Sequence, residues 1–143
     1  ETAWKRYSTI LVSDAGGKLA PEPDPKADWV QHSVRVMGLI DNQVRSLRKR
    51  QLIGAYATGR RAGAYWGIRS DVAHYRVPDA LPCPHGKTLR LAAVATRLEA
   101  MRPLLQKRLI NWGYAVCDAA MRRHVDPTLA PPAGFPYPSA GVG

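Results

Sequence analysis

A short apolar run near the start of the chain, Thr9-Ile10-Leu11-Val12-Ser13, constrains the fold more than any other feature. Three consecutive apolar side chains without alternation predict a strand covered on both faces, as in a parallel sheet. Such a strand needs neighbours on both edges, and two strands alone are marginal in water. Only one other segment reads as a strand, Ala62 to Ile68, and Gly63 and Gly67 weaken it. The chain therefore has fewer strands than its first strand requires.

The remaining segments are helical or irregular. Residues 1–7 read as the end of a helix. Asp14-Ala15-Gly16-Gly17 closes the first strand, and Pro21, Pro23 and Pro25 stiffen the loop that follows. Asp28 is placed to cap a long helix from Trp29 to about Tyr56. Val30, Val34, Met37, Ile40, Val44 and Leu47 form one apolar stripe along it. Residues 71–87, with Pro78, Pro82 and Pro84, read as a loop. Helix returns near Thr88, and Pro103 breaks it or starts a new one. Leu105, Leu109, Trp112, Val116 and Ala120 make a second stripe, ending in Arg122, Arg123 and His124, where cations suit the helix dipole. Residues 126–143 are rich in Pro, Gly and Ala and read as a disordered tail. Both stripes are expected to cover a sheet, and to stay partly bare where strands are few. This inventory, with no initiating Met, predicts the latter part of a larger α/β domain whose other strands precede Glu1.

Composition narrows the function classes. With 45% hydrophobic and 22% charged residues among 143, the chain is ordinary globular material. A net charge of +10 favours anionic partners: nucleic acid, lipid headgroups or acidic proteins. The densest basic patch is Arg45, Arg48, Lys49 and Arg50, a candidate site for an anionic surface. No aromatic side chains interleave with it, which makes a nucleic-acid platform the weaker option. No apolar run approaches the roughly 18 residues of a membrane span. Without a secretory signal, a cytoplasmic protein is expected, with a peripheral place at a membrane left open. Cys83 and Cys117 are then reduced thiols.

No complete catalytic constellation is present. None of Ser8, Ser13, Ser33, Ser46, Ser70 and Ser139 stands in the Gly-x-Ser-x-Gly pattern that a strained nucleophile elbow demands. Asp14 follows a strand and precedes glycines, as a ligand-binding strand end does, but Asp also serves there as a plain turn former. Cys83, His85, Cys117 and His124 lack the paired spacing of a zinc site. His32 and His74 have no partner spacing. No catalytic residue, metal ligand or cofactor site is assigned.

Several local strings are more specific. Glu1-Thr-Ala-Trp-Lys-Arg-Tyr7 followed by Ile10-Leu-Val-Ser-Asp-Ala-Gly-Gly17 resembles the stretch just after the catalytic aspartate of bacterial patatin-like phospholipases. Ile40-Asp-Asn-Gln-Val-Arg-Ser-Leu-Arg48 resembles their next helix. Gly63-Ala-Tyr-Trp-Gly-Ile-Arg69 and Leu109-Ile-Asn-Trp-Gly-Tyr-Ala-Val-Cys-Asp118 resemble their closing segments. The resemblance runs in order from Glu1 to about Val125. It implies the latter part of a three-layer α/β/α domain of a serine lipid acyl hydrolase with a Ser–Asp dyad, a glycine-rich oxyanion loop and no cofactor. Both dyad residues and the oxyanion loop would lie upstream of Glu1, and Asp14 is not carried over as catalytic.

Two functions are therefore expected. The first is the carboxyl-terminal segment of a patatin-like lipid acyl hydrolase, inactive alone, partnered by the preceding part of the same domain. The second is a small basic module that binds an anionic membrane or nucleic acid through residues 45–50.

Overall fold

A computed structural model describes residues 6–17, 19–95 and 99–143. The expected helix end at residues 1–7 lies largely outside them. Among the described residues the chain is mixed α/β and helix-rich, with strands β1 (Thr9–Asp14) and β2 (Ala62–Gly67) and helices α1 (Trp29–Ala57), α2 (His85–Ala92) and α3 (Pro103–His124). The chain divides into two compact units. One is residues 17–61; the other joins residues 1–16 to 62–143.

In the larger unit β1 and β2 pair in parallel, with Thr9 opposite Ala62 and Asp14 opposite Gly67. The expectation that β1 is covered on both faces does not hold. Its residues alternate, with Ile10, Val12 and Asp14 half-buried and Thr9, Leu11 and Ser13 exposed. Among the described residues the sheet has two strands, and the face that carries Thr9, Leu11 and Ser13 is left exposed. At Gly63 the backbone adopts φ +136°, and a β-carbon there would fall 1.8 Å from the Ile10 carbonyl oxygen. Close approach of the two strands depends on that missing side chain.

The core of this unit gathers Ala64 from β2, Val72 and Tyr75 from a 3₁₀ turn (Val72–Tyr75), Leu91 from α2, and Trp112, Val116, Ala119 and Ala120 from α3. The second sequence stripe thus packs as expected, with Leu105 and Leu109 at its margin. Trp112 is fully covered, and its indole N–H donates to the Ile68 carbonyl at 3.0 Å, just beyond β2. Pro103 opens α3 at its first turn, where the absent N–H costs nothing. The span read as one loop, 71–87, instead holds the 3₁₀ turn, and α2 begins at His85, before Thr88. Thr88 bonds the His85 carbonyl at 3.0 Å and is buried inside this helix rather than starting it.

The expected disordered tail is ordered. Asn111, fully buried in α3, donates to the carbonyls of Tyr137 and Gly141, both at 2.8 Å, and accepts the Tyr137 amide at 2.9 Å. Val142 enters the core and Ala140 is buried. Pro and Gly do not prevent order here, because a buried carboxamide satisfies three backbone groups that no ladder would pair.

Arg122 does more than face the helix dipole. It is buried, with its guanidinium on both Asp118 oxygens (2.8 and 3.1 Å) and on Asp79, tying the 76–80 loop to α3. The hydrogen bond from Arg122 holds the Asp79 carboxyl below its ordinary range. Arg122→Met is expected to destabilise the chain near neutrality, mainly because the Asp118 carboxylate, 16% exposed, loses its partner, while the more exposed Asp79 can turn to water. A depressed carboxyl stabilises above its unfolded value of about 3.9 and loses that contribution as pH falls through its folded value. The gap between wild type and variant should therefore narrow on acidification. Urea midpoints at neutral and acid pH measure it, and an equal gap at both would remove Asp79 from the account.

In the smaller unit, Asp28 caps α1 as the sequence predicts, accepting from the Val30 and Gln31 amides at 3.2 and 3.4 Å. The loop before α1 lies along one side of the helix. Arg35 donates to the Ala20 carbonyl at 2.6 Å and pairs with Glu22 at 3.4 Å, and Arg45 donates to the Gly17 carbonyl at 3.1 Å. Arg35, Gly38, Asn42 and Ser46 are the half-covered positions of this stretch. The apolar stripe stands on the opposite side, as 100° per residue requires, and it is exposed. No helix among the described residues is long and apolar enough to cross a membrane.

Candidate functional site

Strand ends are the first place to look for chemistry in an α/β protein. Asp14 ends β1, and its carboxylate accepts the Gly16 amide at 2.8 Å and the Tyr65 hydroxyl from β2. These bonds make it a turn former and a tie between the strands. Ser70, just past β2, accepts the Gly67 amide at 2.9 Å and so closes a turn. Ser33 donates to the Trp29 carbonyl at 2.7 Å within its own helix. Among the described residues, no serine bonds a histidine or a carboxylate, the contact an activated nucleophile needs.

The histidines and cysteines do not converge either. Asp71 and His85 approach to 3.7 Å, too long for a hydrogen bond. His124 meets Tyr75 edge to face with centroids 5.8 Å apart, and burial pushes its imidazole pKa down, with Arg123 adding to the shift. Cys83 and Cys117 are free thiols, and burial pushes Cys83 up to about 11 and raises Cys117 as well. Both are therefore neutral and weakly nucleophilic at physiological pH. Among the described residues, no three His, Cys, Asp or Glu side chains gather to hold a metal.

What the chain presents is a surface on α1. Arg45, Arg48, Lys49 and Arg50 are all exposed in its second half. Arg45 also pairs with Asp41 at 3.2 Å. The four do not share one face. Relative to the centre of the apolar stripe, a 100° step puts Arg48 within about 50°, Arg45 and Arg50 about 110° to either side, and Lys49 behind. Beside them run Trp29, Val30, Val34, Met37, Ile40, Val44 and Leu47, from 39% exposed at Val44 to 78% at Trp29. A shallow depression at the start of α1, lined in part by Lys26, Val30, His32, Val34 and Arg35, is less suited to an anion because Glu22 also lines it and already pairs with Arg35.

The sequence reading found the basic patch and missed the residues that organise the larger unit, Asn111 and Arg122. Both left signals. An asparagine inside an apolar helical segment needs buried partners, and Asp118 and Arg122 are spaced i, i+4. Comparison with protein-family models, with curated proteins and with solved structures finds no match.

Proposed function

We propose that this chain is the carboxyl-terminal segment of a patatin-like lipid acyl hydrolase, contributing sheet and helices but no catalytic group. The observation that carries this reading is the parallel pairing of β1 with β2 across a long intervening helix. Parallel strands occur in larger sheets covered on both faces, and the exposed Thr9, Leu11 and Ser13 face has the character of a sheet awaiting its remaining layers. The local strings resembling that family occur in the same order as these elements. The nucleophilic serine, its aspartate base and the oxyanion donors would come from the preceding part of the domain.

The second reading, a basic module for anionic membrane or nucleic acid, is favoured by the exposed cationic half of α1. Two tests separate them. The isolated chain should not hydrolyse a p-nitrophenyl ester, and turnover above a heat-treated control that a fluorophosphonate abolishes would defeat the claim that it lacks a catalytic group. Upstream coding sequence should contain Gly-x-Ser-x-Gly followed by Asp-Gly-Gly or Asp-Gly-Ala; its absence would leave the basic module as the better reading.

A further inference from the structure

We infer that α1 is an interfacial helix that lays its apolar stripe into the headgroup–acyl boundary of an anionic bilayer. This rests on the basic-module reading and names its partner; in the acyl-hydrolase reading the same stripe would cover the sheet of the larger domain. The stripe from Trp29 to Leu47 extends roughly 27 Å along the helix at 1.5 Å per residue. All seven of its side chains named above are exposed, while the loop from residue 17 to 25 engages the opposite side of the helix through Arg35 and Arg45. The loop half-covers the polar side at Arg35, Gly38, Asn42 and Ser46, and the apolar side is exposed.

Charge selects the occupant. Between Trp29 and Ala57 the helix carries five cationic side chains, Arg35, Arg45, Arg48, Lys49 and Arg50, against a single carboxylate, Asp41. A second copy of the same face would bring like charges together in a chain already at +10. A nucleic acid would meet the arginines but leave the stripe in water. An anionic bilayer satisfies both: the stripe enters the acyl boundary while Arg48, close to the stripe, and Arg50, on its flank, extend to the headgroups. Trp29, at the end of the stripe, supplies the amphipathic ring favoured at that depth.

The test uses the 143-residue chain and vesicles of phosphatidylcholine with or without phosphatidylglycerol. Co-sedimentation should show at least about ten-fold stronger partitioning onto the anionic vesicles at low salt, falling at high salt. The double variant Val34→Asp/Ile40→Asp should lose about ten-fold in that partitioning while keeping the wild-type melting temperature. The triple variant Arg45→Glu/Arg48→Glu/Arg50→Glu should lose as much. Undiminished binding by either variant overturns the inference. So does a lower melting temperature for the Val34/Ile40 variant, which would show the stripe packed inside the chain. A light-scattering dimer that this variant dissociates, or duplex RNA that displaces the protein from vesicles and binds the variant equally well, would assign the face to another partner.

Discussion

Replacing Asn111 with leucine is expected to destabilise the protein by about 4 kcal/mol, a fall of roughly 15 °C in melting temperature for a chain of this size. Leucine keeps the branching but is bulkier, so lost polar partners and overpacking both contribute. Two carbonyls, of Tyr137 and Gly141, and the Tyr137 amide lose their partner, the fully buried Asn111 carboxamide. Each stranded backbone group costs about 1–3 kcal/mol. The segment should then detach, withdrawing Val142 from Trp112 and Val116 and uncovering that end of the core. Asn111→Asp should be at least as harmful, because a carboxylate would face two carbonyl oxygens with no proton to give them. Thermal denaturation with limited proteolysis of residues 126–143 measures both effects. A variant that melts like wild type, with the segment still protected, would show that Asn111 does not hold it.

Gly63→Ala is expected to be the second severe substitution, at about 3 kcal/mol or more. Two independent obstacles coincide: φ of +136°, which L side chains rarely adopt, and a β-carbon 1.8 Å from the Ile10 carbonyl. Relief requires β2 to move away from β1, and the register Ile10 to Gly63 would be lost with it. Gly67→Ala is the control in the same strand. Its β-carbon would lie 3.4 Å from the Asp14 carbonyl, at the edge of ordinary contact, and its φ lies outside the range that disfavours side chains. The alanine at 67 should cost little. Amide exchange at residues 9–14 distinguishes the two, with protection lost in the first variant and kept in the second. Equal protection in both would mean that the strands do not depend on the glycine at 63.

Part of the site was legible in advance. The cationic run from Arg45 to Arg50 and the stripe from Val30 to Leu47 are both visible as spacing on one helix. Their relation to solvent is not. The same stripe pattern belongs to α3, where Trp112 and Val116 are buried, and to α1, where Met37 and Ile40 are exposed. Periodicity shows that one side of a helix is apolar; it cannot show what stands opposite. The role of Asp14 was equally open, because a turn former and a site residue call for the same amino acid. The Tyr65 hydroxyl on its carboxylate, 51 residues away in sequence, adds a tie between the strands that local spacing could not show.

The sequence by itself determined what short-range physics controls. Asp28 starts α1 because its carboxylate reaches amides two and three residues on, and Pro103 starts α3 because its ring fixes φ and removes an unneeded donor. Apolar runs at 9–13 and 62–68 marked both strands for the same local reason. The tertiary structure decided everything that depends on a distant partner. It left β1 half-exposed, with Thr9, Leu11 and Ser13 on the uncovered face. It ordered the 126–143 segment, since Asn111 offers bonds that a Pro-rich chain cannot make with itself. It buried Arg122, since Asp79 reaches it from the 76–80 loop while Asp118 holds it one turn back in α3. Capping and periodicity act within about one helical turn, whereas burial depends on surfaces brought together from far along the chain.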